Sequence, residues 1–522
     1  MEMENRRREL ARKRRKRQRE LRRRLFAGGL VAGALCLGAG AWALMNREDE
    51  KLADKKRISQ ETGAQENGNV DMLADDSWSV GENLTERNPI DPGDTDVHDG
   101  NDALPDGVSA QEDSVEIVPR ESAMTQAVRE PEELPSRYDL REHGTAPEVP
   151  DQGTFGTCWA FASLGALESS MPSEQKTRLS ADHMSLQNSF GLGQDSGGDY
   201  SISTAYLLAW QGPVAEDSDP YGDGYSPDNL EPVCHVQEVQ ILKEKDYDAI
   251  KRAVYETGGV QSSFYMPQSA GAERDRYYNE ETDAFYYDGS LEANHDVVIV
   301  GWEDSYPKEN FVKEPEEDGA FLCMNTWGES FGDRGYFYIS YEDSRIGTTN
   351  VSYTRIESSD NYDRIYQTDL CGWTGQLGYG ESNAWFGNVY EAQEDGFLAA
   401  AGFYAVTPDT DYSVYAVRLG AENSFADRRR VAGGHVDNAG FYTISWDEEI
   451  RLIAGERFAV IVEIESAGTT EPVAVEYVSG ERTANVDLND GEGYISPDGV
   501  NWQRVETAQN CNVCLKAYVR GE

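Results

Sequence analysis

The sequence predicts an α+β protein in which a domain of mixed helices and strands precedes an all-β sandwich or jelly-roll domain. An Ala/Leu-rich helical run begins at Cys158, and β-branched strands follow beyond His295. Short alternating or apolar runs separated by Asp, Asn and Gly turns fill the chain after about 361. An uncharged run near the N-terminus predicts one transmembrane helix ahead of both domains, and the acidic stretch after it predicts a disordered linker.

The composition limits the class of protein. The 522 residues hold 47 Lys and Arg against 95 Asp and Glu, a formal charge of −48. This length allows two or three domains at about 100–200 residues each. The hydrophobic fraction is 39%, below the globular average of about 45–50%, so part of the chain lies outside any packed core. Nucleic acid is not an expected partner, because the phosphates would be repelled.

Residues 1–24 carry 13 Lys and Arg against 4 Glu. Taken alone, this basic head resembles a nucleic-acid tail, but residues 25–45 then run for 21 positions without a charge. A helix of this length spans about 30 Å, the thickness of a bilayer core. The positive-inside rule keeps the basic head in the cytoplasm and exports the rest of the chain. We expect an uncleaved single-pass anchor; the alternative is a signal peptide cut after Ala41-Trp42-Ala43.

The next stretch, residues 46–133, has one aromatic side chain, Trp78. Its Asp-, Glu-, Asn-, Gly- and Ser-rich composition provides too little apolar area to offset the entropy of ordering the chain. We interpret it as a disordered acidic linker. A pro-segment that blocks an active site is the alternative, but an inhibitory helix would show a 3.6-residue apolar period, which we do not find.

The first folded domain contains a candidate nucleophile. The sequence DQGTFGTCWAFA begins with a Gly- and Thr-rich loop and continues into a helix, so Cys158 stands at the helix N-terminus. The helix dipole and the free amide groups at that end lower a thiol pKa and favour thiolate. Gln152, six residues earlier, can place an amide donor where an oxyanion develops. By itself, such a cysteine is equally well interpreted as a small buried residue.

Two strand motifs decide between these interpretations. NHDVVIVGW places His295 at the start of a β-branched strand, 137 residues after Cys158, and FLCMNTWG ends a second strand at Asn325, 167 residues after it. A cysteine followed by a histidine about 130–150 residues later and then by an asparagine is the spacing of a papain-type thiol protease. Each motif alone also fits a buried strand end.

Residues 134–357 resemble the papain family of cysteine peptidases through QGTFGTCWAFA, NHDVVIVGW and NTWGESFGDRGYFYIS. The resemblance implies a two-lobed fold with a cleft between a helical half and a β-rich half. It implies that Cys158 is the nucleophile and His295 the base and then the acid, that Asn325 orients the imidazole, and that Gln152 donates to the oxyanion. It also implies contact with substrate or shielding of the site for Gly197, Gly198 and Trp327. No cofactor and no metal are expected.

The sequence departs from the family pattern at two positions. Phe155 stands where the family has a disulfide-forming cysteine three residues before the nucleophile. Asp296 stands after the histidine, where a small residue is usual. If Asp296 points toward the cleft, it raises the pKa of His295 or favours a basic leaving group; we expect instead that it faces solvent.

The remaining cysteines and histidines give no metal site. Cys511-x-x-Cys514 is a metal half-site without a second half, and its strand-like surroundings favour edge or buried cysteines. Cys323 is expected to be buried and unpaired. The histidines other than His295 show no metal-ligand spacing; they are His98, His143, His183, His235 and His435.

The second folded domain, residues 360–522, contains runs such as GFLAAAGFYAV, DYSVYAVRL and ERFAVIVEIE. Their spacing predicts a β-sandwich or jelly roll. The segment resembles the lectin-like domain that follows papain-type domains in some bacterial surface proteins, which implies binding of glycan or cell wall. Trp373, Trp385 and Trp502 could stack on sugar, but we expect them to belong to the core.

Three functions follow from these observations. We expect a membrane-anchored cysteine endopeptidase whose substrate is protein or peptide and whose catalytic domain lies on the extracellular side. The second hypothesis is an amidase that cuts cell-wall peptide. The third is a surface adhesin that uses the papain-like fold as a scaffold. The set Gln152, Cys158, His295 and Asn325 favours the endopeptidase.

Overall fold

The computed structural model describes residues 133–173, 175–267, 271–420 and 424–522. The predicted basic head, the membrane span at 25–45 and all but the last residue of the linker lie outside these ranges. Within the described part of the chain, no helix is long and apolar enough to cross a membrane.

The helices concentrate in the first domain. The longest, α2, begins at Cys158, and its residues 159–169 are all buried, as expected for a helix that is packed on every side. An added Cβ at Gly165 would lie 3.0 Å from Met324 Cε and 3.2 Å from Val298 Cγ2, so α2 packs closely on two strands. The helices are α1 (Leu140–His143), α2 (Cys158–Ser170), α3 (Ala181–Leu186), α4 (Tyr200–Leu208), α5 (Tyr247–Glu256) and α6 (Val505–Ala508).

The strands of the first domain form a largely antiparallel sheet. Their spatial order is β2-β9-β3-β6-β7-β8-β5-β4, with β1 paired to β6. They are β1 (Arg137–Asp139), β2 (Cys234–Leu242), β3 (Val260–Phe264), β4 (Tyr278–Asn279), β5 (Ala284–Phe285), β6 (His295–Glu303), β7 (Ala320–Met324), β8 (Tyr336–Ser340) and β9 (Asn350–Ser358). The two strands predicted from the site motifs are confirmed as β6 and β7.

The second domain consists almost entirely of strands. One layer has the order β10-β22-β13-β16 and a six-stranded layer has the order β15-β14-β17-β12-β19-β20, while β11-β18-β21 form a small third sheet. The strands are β10 (Arg364–Tyr366), β11 (Gly375–Leu377), β12 (Asn383–Glu391), β13 (Gly396–Ala405), β14 (Thr410–Arg418), β15 (Arg429–Val436), β16 (Ala439–Leu452), β17 (Arg457–Ser466), β18 (Val473–Tyr477), β19 (Gly493–Ser496), β20 (Gln503–Arg504), β21 (Cys511–Val513) and β22 (Leu515–Gly521). A shared core of Phe386, Phe403 and Val462 joins the two larger layers.

One backbone sheet runs through both domains. Strand β16 of the second domain pairs antiparallel with β2 of the first, from Ala439 opposite Ile241 to Tyr442 opposite Glu238. The predicted domain boundary near 357–360 falls at the end of β9, ahead of β10. The two domains therefore meet through main-chain hydrogen bonds as well as through side-chain packing.

Candidate active site

Cys158 stands at the first position of α2, as the sequence predicts. The Thr157 side chain does not cap the helix; its hydroxyl shares a 2.6 Å hydrogen bond with Tyr221 Oη. The backbone N–H groups of Asp296, Trp159 and Cys158 itself lower the pKa of the thiol, since they favour its charged form. Residue Cys158 as a whole is partly exposed, but its thiol is largely buried and lies near Asp296 at the start of β6.

Strand pairing brings His295 and Asn325 to the same edge of the sheet. Strands β6 and β7 are antiparallel, with Val298 opposite Met324. His295 begins β6 and Asn325 directly follows β7, so both lie at the end of the sheet that faces the start of α2. The His295 side chain is 4% exposed and Asn325 is fully buried.

A single hydrogen bond fixes the tautomer of His295. Its Nε2 lies 2.8 Å from Asn325 Oδ1, and the Thr326 backbone N–H donates to the same oxygen at 2.8 Å. Because that atom accepts from an N–H, it is the amide oxygen, and His295 Nε2 must carry the hydrogen. The Nδ1 atom is then the position that can take a proton. The Trp327 ring lies against the imidazole, with 4.8 Å between ring centroids.

Gln152 is anchored to the loop that carries Asn325. Its backbone N–H donates to the Thr326 carbonyl at 2.8 Å, and its side-chain oxygen accepts from the Thr326 hydroxyl. Its side-chain nitrogen donates to the Phe155 carbonyl at 2.7 Å. An amide NH₂ has two hydrogens, so one remains for an oxyanion beside Cys158. The contribution of Thr326 was not predicted, since no spacing rule marks a residue that acts through another side chain.

Burial shapes the charges of the site. Burial, with the Asp296 charge adding to it, raises the pKa of the Cys158 thiol to about 12, while the surrounding N–H groups lower it. Burial also lowers the pKa of His295 to about 4, against the opposing effect of its bond to Asn325. A lone thiolate or imidazolium is therefore disfavoured. Proton transfer from sulfur to imidazole creates both charges together, and they attract strongly where water is excluded.

The expectation that Asp296 faces solvent is wrong. Asp296 is 7% exposed, and its two oxygens accept from Gln261 Nε2 at 2.9 Å and from Ser263 Oγ at 2.6 Å. Burial raises the pKa of its carboxyl to about 6. The cause is strand pairing: β6 lies between β3 and β7, and Ser263 stands directly opposite Asp296.

The two predicted cleft glycines lie against the nucleophile segment. An added Cβ at Gly198 would lie 2.6 Å from Trp159 Nε1, and one at Gly156 would lie 2.9 Å from the Gly197 nitrogen. Gly197 also has a φ of +72°, a conformation that side chains disfavour. Only glycine permits this close approach of the two backbones.

The other cysteines of the described chain are buried and free of disulfides, as expected for Cys323. They are Cys234, Cys323, Cys371, Cys511 and Cys514. The histidines show no metal-ligand spacing in the sequence, but the fold brings ligand atoms of Asp409, His435 and Asp437 within 4.8 Å of one another on an exposed surface. This grouping arises from tertiary contact and has no local sequence signal.

The three tryptophans considered for sugar stacking, Trp373, Trp385 and Trp502, are partly buried. Trp385 packs under the Arg428 guanidinium at 4.7 Å and beside Tyr415 at 5.1 Å. Trp502 packs against Phe425 at 4.9 Å between ring centroids. Their faces are therefore largely taken by neighbours of the same domain, which agrees with the expected core role more than with sugar stacking.

Comparison with known families identifies both folded domains. Residues 134–356 match the model of the papain family of cysteine proteases, and residues 365–519 match that of the lectin-like domain. Mouse cathepsin K is 28% identical over 231 residues, which are 42% of this chain and 64% of that protein. Mouse cathepsin S is 28% identical over 271 residues, 48% of this chain and 69% of that protein. A cathepsin L-like peptidase of Aedes aegypti is 26% identical over 219 residues, 39% of this chain and 58% of that protein. The chain thus spans roughly three fifths to two thirds of the length of these relatives.

Solved structures share the two-domain fold. The protease and lectin-like domains of Cwp84, a surface layer associated protein of Clostridium difficile, superpose with a TM-score of 0.64 at 24% identity over 74% of this chain and 89% of that one. Cwp84 after propeptide cleavage superposes with a TM-score of 0.65 at 23% identity over 74% of this chain and 99% of that one.

The chain therefore carries a papain-family cysteine protease domain. That domain, of the cysteine-type peptidase class, is followed by a lectin-like domain.

Proposed function

We propose that the protein is a cysteine endopeptidase that hydrolyses peptide bonds of proteins or peptides through Cys158, His295 and Asn325. The observation that carries the proposal is the 2.8 Å bond from His295 Nε2 to Asn325 Oδ1. It leaves Nδ1 as the proton acceptor, and the next residue, Asp296, is near enough to influence the Cys158 thiol. This is the arrangement that a thiol nucleophile with a histidine base requires.

The reaction proceeds in two steps. The Cys158 thiolate attacks the substrate carbonyl carbon after its proton moves to His295 Nδ1, and the tetrahedral oxyanion accepts hydrogen bonds from the Gln152 amide and the Cys158 N–H. The C–N bond then breaks, His295 gives the proton to the leaving amine, and a thioester remains. Water, deprotonated by His295, hydrolyses the thioester and restores the thiol. The backbone of Gly197 and Gly198 binds the substrate chain beside the nucleophile, and Trp327 keeps water from the His295–Asn325 bond.

Location and partners belong to the same proposal. The uncharged run at 25–45 anchors the protein in the membrane with the basic head inside, so that the peptidase acts outside the cell. The lectin-like domain binds glycan or cell wall. Fractionation of cells that express the full chain, with protease accessibility of the catalytic domain, tests the anchor. Release of a shortened chain into the medium would support signal cleavage instead.

A peptide-library digest with the wild-type chain and with Cys158→Ala tests the activity. Cleavage of unmodified peptides that disappears in the variant is expected. Cleavage restricted to cell-wall peptides would favour the amidase. No cleavage, together with no adduct of an epoxide-type thiol-protease inhibitor on Cys158, would favour the adhesin.

A further inference from the structure

A loop of the lectin-like domain lies against the substrate side of the peptidase domain. Residues 479–487, after β18, contact residues 189–201, before and at the start of α4. The Gly191 N–H donates to the Arg482 carbonyl at 3.0 Å, and Asn485 Nδ2 donates to the Ser189 carbonyl at 3.2 Å. The Arg482 guanidinium also lies over the Phe190 ring, 5.3 Å from its centroid.

The centre of this contact is a bidentate ion pair between Arg482 and Asp199. Arg482 Nη1 donates to Asp199 Oδ2 at 2.6 Å, and Arg482 Nη2 donates to Asp199 Oδ1 at 2.8 Å. The same Nη2 reaches Ser201 Oγ at 2.6 Å. Burial raises the pKa of Asp199, but the bonds and charge of Arg482 outweigh it, so the pKa is lowered. The planar fork of arginine matches a carboxylate in a way that lysine cannot.

Asp199 connects the Gly197–Gly198 segment before it to α4 after it. Its Oδ1 accepts from the Ser201 N–H at 2.8 Å and caps α4. Gly197 and Gly198 stand directly before it. A Cβ at Gly156 would meet the Gly197 backbone, and a Cβ at Gly198 would meet the Trp159 indole. The glycine segment is thus held between the nucleophile helix on one side and the Asp199–Arg482 pair on the other.

We infer that the lectin-like domain completes the substrate cleft, with Arg482 as a positioning residue that holds the Gly197–Gly198 segment in place through Asp199. The inference rests on the proposed function, in which this segment binds the substrate backbone. Arg482 touches neither the substrate nor the reacting atoms. Its loss therefore weakens substrate binding and leaves the chemistry at Cys158 unchanged.

The test uses the full chain and a fluorogenic peptide that the wild type cleaves and Cys158→Ala does not. Arg482→Met keeps most of the aliphatic part of the side chain and removes the guanidinium group that binds Asp199. We expect KM to rise about five- to thirty-fold, the effect of losing one or two kcal/mol of binding, with kcat within about twofold of wild type. The rate of Cys158 alkylation by iodoacetamide, which does not need the glycine segment, should stay unchanged.

Matched variants separate positioning from general damage to the interface. Asn485→Ala removes a contact of the same loop that does not reach Asp199, and its KM should equal that of the wild type. Asp199→Asn keeps the helix cap and weakens the ion pair, so the double variant with Arg482→Met should be no worse than either single one. Arg482→Lys should restore part of the loss.

An unchanged KM in Arg482→Met, or an equal rise in Asn485→Ala, would overturn the inference. So would a parallel fall of kcat and alkylation rate, because that pattern reports loss of the folded site. Failure of the proposed function is distinct, since it would appear as equal digestion by the wild type and Cys158→Ala.

Discussion

The Asn325 amide controls both the orientation and the tautomer of His295, so its removal has a calculable effect. Asn325 is fully buried, and its Oδ1 accepts from His295 Nε2 and from the Thr326 N–H, each at 2.8 Å. Asn325→Ala deletes this acceptor. The His295 Nε2–H is then left buried without a partner, and the imidazole can rotate away from Cys158.

The magnitude follows from the positive charge that His295 gains in the proposed mechanism. A hydrogen bond from a charged group contributes about 1.5–3 kcal/mol, and about 1.4 kcal/mol corresponds to a tenfold change in rate. We therefore expect kcat/KM to fall about 10- to 100-fold. Because the bond strengthens when the imidazolium forms, kcat should fall with kcat/KM, while KM changes little.

Initial rates on a fluorogenic peptide across pH, with Asn325→Asp as the control, measure this effect. Asn325 Nδ2 has no hydrogen-bond partner within the described chain, so the aspartate keeps every bond of the original side chain. Its charge should raise the pKa of His295 and move the alkaline limb of the profile to higher pH. Activity of Asn325→Ala within about twofold of wild type would show that another contact orients His295.

Three further outcomes follow from buried charges. The Asp296 carboxylate raises the pKa of Cys158, so Asp296→Asn should shift the pH profile of Cys158 alkylation to lower pH; an unmoved profile would contradict this. Lys516 and Asp369 form a 2.9 Å ion pair at 1% and 0% exposure. Lys516→Met should cost about 3–5 kcal/mol and lower the melting temperature by roughly 6–20 °C, measured by calorimetry, and Asp369→Asn added to it should recover stability. Burial raises the pKa of Glu476 from 4.5 to about 7. The folded state therefore binds the proton more tightly, and this carboxyl removes stability as pH rises from about 4.5 to 7. Glu476→Gln should flatten the melting temperature across that window, and an equally steep dependence would refute the assignment.

The placement of the candidate catalytic residues could be predicted because its signals are local. A Gly-rich loop followed by an Ala/Leu-rich run places Cys158 at a helix start, and β-branched runs place His295 and Asn325 at strand ends. Several strands of the second domain were predicted in the same way, from apolar runs such as those of β13 and β17. Each of these signals lies within about ten residues. Over that length the spacing of apolar residues distinguishes a helix from a strand.

The features that were missed depend on long-range pairing. Asp296 is buried because Ser263 stands opposite it on β3, and the sequence does not specify which strand is the neighbour. Strand β16 was missed because Asp447, Glu448 and Glu449 interrupt its apolar pattern. The Arg482–Asp199 pair joins positions 283 residues apart, and no local pattern marks either residue as a partner of the other.

The pairing of β2 with β16 has a consequence for the isolated peptidase domain. A chain that ends after β9 would leave one side of β2 with unpaired backbone N–H and C=O groups between Glu238 and Ile241. Such an open edge is a template for another strand and promotes association between chains. A truncated peptidase domain would therefore tend to oligomerise or precipitate. In the full chain, β16 of the lectin-like domain covers that edge.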